Sequence, residues 1–205
     1  MLVSTFELLV KPQLPEEMDL PATIPGEIKD KITKLSRTVI QGYFLTISNL
    51  NAFNATISLV FTVVLQPPLK IKDLLGSKEA PAAGDLIGFL DVKETNLIAN
   101  IRPDFSPNKI RFTRTIPASE TGLFLLQPNI LKPELLDGKK FEVRGYVEVF
   151  ISSLSTGFNS ARLLITPEQR GTFYTNLEAD PVQLDQIAYA LPTAHGGSLF
   201  ELSFQ

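Results

Sequence analysis

Apolar residues recur at every second position between residues 56 and 65, and this spacing constrains the fold more than any other feature of the sequence. The apolar set is Ile57, Leu59, Phe61, Val63 and Leu65. A period of two is the spacing of a β-strand, and the many β-branched residues suit a pleated sheet. The stretch therefore predicts a strand that turns one face to a core.

The stretch before it, residues 38–48, is apolar on both faces. One face carries Val39, Tyr43, Leu45 and Ile47, and the other carries Ile40 and Phe44. A strand of this kind is expected inside a packed sheet, where both faces are covered. Asn49, Asn51 and Asn54 follow it, and asparagine favours chain reversals. The two strands are therefore predicted to form a hairpin.

A later stretch, residues 145–166, resembles residues 42–62. Both begin with Gly-Tyr, continue through Ile-Ser and a leucine, and reach a Phe-Asn pair, Phe53-Asn54 in one and Phe158-Asn159 in the other. We interpret the likeness as two similar hairpins in one β-domain. An internal duplication, with halves near 1–102 and 103–205, is the alternative, and a short repeat of this kind does not decide between them.

The remaining pattern adds further strands and a few short helices. Strands are predicted at residues 2–10, 86–92, 96–102, 109–117, 123–126, 141–150, 162–166 and 198–204, the first of them at a sheet edge. Ile28, Ile32 and Leu35 have helical spacing, a helical turn is predicted at 133–136, and Asp180-Pro181 resembles the start of a helix that runs to Leu191. This pattern predicts an all-β fold, an immunoglobulin-like antiparallel β-sandwich with one or two short peripheral helices, as a single domain over residues 1–205.

Composition excludes several classes of function. The chain has no cysteine, which rules out disulfides and thiolate metal sites, and its net charge of −3 offers nothing to attract a nucleic acid. The first residues lack the basic segment of a signal peptide, and no apolar run is long enough to span a membrane. We therefore expect a soluble cytoplasmic protein.

Few residues are candidates for chemistry. His195 is the only histidine, and it stands in a glycine-rich segment without the Gly-x-Ser-x-Gly motif of an α/β-hydrolase. Acidic residues gather at residues 16–19 and 178–185, but neither group has the spacing of an EF-hand. We therefore predict no catalytic residues, no bound metal and no cofactor.

The sequence favours a non-enzymatic binding or assembly module that contacts a protein or ligand through loops or an edge strand, with a homo-oligomer left open. One alternative is a sandwich that binds carbohydrate, or binds lipid with calcium. Another is a hydrolase with an atypical site near His195. The candidate interaction residues lie in the two similar turns: Asn49, Asn51, Phe53, Asn54, Phe158 and Asn159.

Overall fold

The alternating apolar stretches form strands, and the all-β prediction is confirmed. A computed structural model describes residues 1–14, 21–64, 74–75, 83–92, 95–98, 102–103, 108–155 and 157–204, without the side chains of 33, 95–98 and 102–103. Its elements are β1 (Leu2–Pro12), α1 (Gly26–Leu35), β2 (Thr38–Asn49), β3 (Ala55–Val64), β4 (Leu86–Val92), β5 (Thr95–Ile98), β6 (Arg102–Pro103), β7 (Lys109–Ile116), β8 (Thr121–Pro128), α2 (Pro133–Gly138), β9 (Phe141–Leu154), β10 (Ser160–Tyr174), β11 (Leu184–Ala190) and β12 (Leu199–Ser203).

The strands pair in the order β5-β4-β8-β2-β1-β9-β3-β7-β6, and every ladder is antiparallel. Residues 99–101 alone separate β5 from β6, so the two ends of this path lie within roughly 14 Å of each other. The sheet is therefore nearly closed and barrel-like. β10 branches from this path: it pairs with β2 on one edge and with β11 and β12 on the other.

The predicted hairpin between β2 and β3 is wrong. β2 pairs with β10 along its whole length, with β1 at its start and with β8 from Tyr43 onward, so both of its edges are occupied. β3 pairs instead with β7 and β9. The turn at residues 50–54 therefore carries the chain from one part of the sheet to another. Alternation fixes which face of a strand is buried, but it does not select the partner strand.

Two related predictions fail for the same reason. The later pair, β9 and β10, is not a hairpin either, because β9 lies between β1 and β3. β1 is not an edge strand, since it pairs with β2 and with β9. The two similar stretches also pack differently: Tyr43 is fully buried, whereas its counterpart Tyr146 is 37% exposed.

The two short helices at 26–35 and 133–138 agree with the prediction. The helix predicted from Asp180 to Leu191 is wrong, because residues 184–190 form β11 beside β10. The apolar spacing of Leu184, Ile187 and Ala188 suited a helix. The open edge of β10 offers backbone hydrogen bonds to an extended segment, and tertiary context of this kind overrides local periodicity.

Aromatic side chains fill the centre of the molecule. The ring of Phe61 on β3 lies 5.5 Å from the ring of Phe6 and 5.6 Å from that of Phe124, measured between centroids. Tyr43 contacts the same group, and its hydroxyl is 2.9 Å from the Ser4 hydroxyl. Strands that are not neighbours in the sheet therefore meet across one core, with their other faces turned outward.

Candidate functional site

The two turns that the sequence singled out lie against each other. Phe53 and Phe158 stack with their ring centroids 3.8 Å apart and an angle of 16° between the rings. Phe53 is half-buried, and Phe158 is 47% exposed. Each ring covers part of the other, so this pair presents less apolar surface to a partner than two separate phenylalanines would.

Asn49 uses its side chain to hold these turns together. It is 1% exposed, and its Nδ2 donates to the carbonyl oxygens of Phe53, Ile116 and Pro117 at 2.8, 3.0 and 3.0 Å. Its Oδ1 accepts hydrogen bonds from the backbone and side-chain nitrogens of Asn51 at 3.1 and 2.7 Å. The role of Asn49 is therefore to satisfy buried backbone groups.

The other asparagines in the first turn also bind backbone. The Asn51 side chain makes two hydrogen bonds to the main chain of Arg162, which is the third residue of β10. Asn54 accepts a hydrogen bond from the backbone N–H of Ala118 at 3.0 Å. Asn159 is exposed, and its carbonyl accepts from Phe204. The structure thus brings the six candidate residues together at one end of the fold; their role as an interaction surface stays a prediction.

His195 lies in the turn before β12. Its Nε2 is 3.0 Å from the carbonyl oxygen of Leu199, and its ring centroid is 4.2 Å from that of Phe200. These contacts fix the turn. In the described ranges, no three histidine, aspartate or glutamate side chains are grouped so that they could hold a metal ion. The acidic group at 16–19 lies outside the described residues. In the second acidic group, at 178–185, Asp185 is paired with Arg37.

A cleft on the outer face of β2, β10 and β11 is the feature that sequence reasoning missed. Its volume is about 790 Å³. Most of its lining is apolar. The lining residues belong to β2, β10 and β11, to α2, and to the segments around them. The lining residues are Ile40, Gly42, Phe44, Gln127, Ile130, Leu136, Glu168, Arg170, Gly171, Thr172, Tyr174, Leu177, Leu184, Gln186, Ile187 and Ala188.

The floor of the cleft comes from the second apolar face of β2. Ile40 and Phe44 point away from the core side of the strand, and Gly42 lies between them. A β-carbon at Gly42 would be 2.9 Å from Cβ of Gln127, so only glycine lets β2 and the end of β8 approach this closely. The apolar outer face of β2 was visible in the sequence, whereas the strands that complete the cleft beside it were not.

A fixed ion pair lies on the same floor. Nε and Nη2 of Arg170 donate to Oε2 of Glu168 at 3.0 and 2.7 Å. The guanidinium carbon is also 4.4 Å from the centroid of the Phe44 ring, in a cation–π contact. Glu168 and Arg170 are two residues apart on β10, so both side chains project from one face. Their charges cancel within the cleft.

Tyr174 lies at the end of β10 and is 4% exposed. Its hydroxyl is buried, and among the described residues its polar neighbour is the side chain of Thr38, to which it makes a hydrogen bond of poor geometry. Burial raises the pKa of this phenol, the hydrogen bond with Thr38 lowers it, and the charge of Asp137 adds to the rise. The hydroxyl has almost no accessible surface, so it is not open to a ligand in the cleft.

Comparisons with known proteins add no family to this picture. No protein-family model matches the chain, and no curated protein shows significant similarity to it. Among the described residues, no helix is both long and apolar enough to cross a membrane. The candidate site must therefore be judged by its own chemistry, which is that of a mostly apolar cleft with one neutral ion pair.

Proposed function

We propose that this chain is a non-enzymatic binding module whose ligand occupies the cleft on β2, β10 and β11. The cleft volume of about 790 Å³ carries the proposal. Sites for small molecules in proteins have volumes of roughly 300–1,000 Å³, and they combine an apolar lining with a few placed polar groups. The ion pair of Glu168 and Arg170 provides polar groups of this kind.

The cleft supports this function better than the paired turns do. The amides of Asn49, Asn51 and Asn54 are bound to backbone groups of the chain itself, whereas the cleft has uncovered apolar surface. Leu184 and Ile187 are 51% and 46% exposed at its margin. A ligand that covers them gains the free energy of apolar burial, about 25 cal/mol per Å².

Ala188 gives the direct test, because it lines the cleft and has a small side chain on the exposed strand β11. Ala188→Phe places a ring in the space that a ligand would fill and adds no charge. We expect the wild-type chain to bind the neutral fluorophore N-phenyl-1-naphthylamine, with an increase in its fluorescence. We expect Ala188→Phe to weaken this binding at least about tenfold, which corresponds to about 1.4 kcal/mol.

Ala194→Phe is the matched control. Ala194 is exposed in the turn before β12 and is outside the cleft lining. The control should bind the fluorophore like the wild type and melt at the same temperature as Ala188→Phe. Equal binding by both variants, or no binding by the wild type, would show that the cleft is not a ligand site.

The other interpretations from the sequence stay proposals with less support. An immunoglobulin-like layout would suit contacts such as that between Phe61 and Phe124, which join strands on opposite sides of the core. A hydrolase site would need a base, and His195 is used in its own turn. Binding of carbohydrate, binding of lipid with calcium, and homo-oligomer formation rest on the sequence arguments alone.

A further inference from the structure

We infer that the occupant of the cleft is an uncharged amphipathic small molecule, with an apolar body and a hydroxyl or carbonyl group that hydrogen-bonds to the paired side chains of Glu168 and Arg170. This inference rests on the proposed function, because it names the class of ligand for the same site. It follows from two observations: the apolar lining, and the internal neutralisation of the cleft's charges.

The charges of the cleft select against an ionised ligand. Glu168 and Arg170 are the ionisable side chains with full charge in the described lining, and each binds the other. Moving a carboxylate or an ammonium group from water into an apolar site is costly unless an opposite charge is free to receive it. A carboxylate bound to the guanidinium of Arg170 would lie beside the negative charge of Glu168, which repels it. A neutral molecule meets no such opposition.

The ion pair gives the polar contact for the ligand. Both hydrogen bonds from Arg170 end on Oε2 of Glu168, and within the described residues neither Oε1 of Glu168 nor Nη1 of Arg170 has another hydrogen bond. The pair therefore offers one acceptor and one donor without a net charge. Stacking of the guanidinium on Phe44 holds both groups in place and keeps them oriented before a ligand arrives.

A competition experiment separates the two classes of ligand. Displacement of N-phenyl-1-naphthylamine is measured for 1-decanol and for decanoate at pH 8, where the acid is ionised. The two competitors share one alkyl length and differ in charge. We expect half-displacement by 1-decanol at a concentration at least about tenfold below that of decanoate. Equal or stronger displacement by decanoate would overturn the inference, while the proposed binding function would stand as long as Ala188→Phe still blocks the fluorophore.

Failure of the fluorophore to bind the wild type would reject the proposed function and this inference together.

Discussion

At the scale of single residues, Asn49 shows how much of a turn can depend on one side chain. A preference of asparagine for turns was visible in the sequence, and it was correct that the chain changes direction here. The more specific role was not visible: the Asn49 side chain donates hydrogen bonds to the backbone carbonyls of Ile116 and Pro117, which lie far along the chain. A side chain that bonds to distant backbone leaves no local pattern, because its partners become neighbours only in the folded state.

Asn49→Ala should lower the free energy of unfolding by about 2–4 kcal/mol, since it leaves several buried carbonyl groups without donors. Urea denaturation at pH 7 measures this. Asn54→Ala is the control variant, because the exposed side chain of Asn54 accepts a single hydrogen bond, from the backbone of Ala118. This substitution should lower the free energy of unfolding by about 1 kcal/mol or less. Equal effects of the two substitutions would contradict the network around Asn49.

At the scale of elements, the two similar turns depend on each other. The turn between β2 and β3 and the turn between β9 and β10 meet through the stacked rings of Phe53 and Phe158 and through the bonds from Asn51 to Arg162. The likeness between the stretches was readable in the sequence. Their contact was not, because it follows from the pairing of β2 with β10 and of β3 with β9, and that pairing requires the whole sheet.

A double-mutant cycle measures this contact between turns. Phe53→Ala, Phe158→Ala and the double variant should give a coupling free energy of about 0.5–1.5 kcal/mol, the range for an aromatic pair. Chemical denaturation of the four proteins supplies the values. Phe158→Ala combined with Leu35→Ala is the control cycle, because Leu35 lies on α1 before the start of β2, and both turns lie beyond the other end of that strand. Strictly additive effects at Phe53 and Phe158 would mean that the stack contributes nothing to stability.

The elements also show where local patterns lead a prediction astray. The period of two correctly located β3 and β9. β9 keeps one face on the core as expected, whereas β3 is buried on both faces for most of its length. β11 has no buried residue, so the spacing of its apolar residues does not reflect a face that packs on the core. Its conformation is set by the ladder with β10, and a strand of this kind cannot be recognised from periodicity.

At the scale of the whole molecule, the centre is held together by one aromatic group. Tyr43 on β2 contacts Phe6 and Phe61, and its hydroxyl bonds to Ser4 on β1. Burial raises the pKa of Tyr43 far above its ordinary value of 10.0, and the hydrogen bond from Ser4 offsets a part of this rise. The phenol therefore stays neutral in the folded protein at a pH where the unfolded chain would ionise it.

This difference predicts an alkaline limit to stability. The contribution of neutral Tyr43 to the free energy of unfolding is complete below pH 10.0, the ordinary pKa of a tyrosine. It is lost as the pH rises above that value, because the unfolded chain then ionises its tyrosine first. Each tyrosine of this kind should contribute a slope of up to about 1.4 kcal/mol per pH unit. Tyr43→Phe should be less stable at pH 8, because it loses the bond to Ser4, and its stability should fall less steeply between pH 10 and 11.5. Urea midpoints across this range measure both slopes, and parallel curves would contradict the prediction.

The class of the fold could be predicted from the sequence, and the site could not. Strand positions follow from the spacing of residues such as Phe61 and Val63, which the chain records locally. The cleft forms where Ile40 and Phe44 on β2 meet residues of β10 and β11, more than a hundred positions later. Those strands become neighbours through the pairing order of the sheet, and no local pattern in the sequence predicts that order.

The location of a bound ligand is the most direct test of this account. With methyl-labelled protein, nuclear Overhauser effects between the alkyl chain of 1-decanol and protein methyl groups report which residues the ligand touches. The account predicts effects to Ile40, Leu136 and Leu184 in the cleft, and none to Leu2 or Leu164, which are exposed elsewhere. Effects confined to methyl groups outside the cleft, or none at saturating 1-decanol, would contradict it.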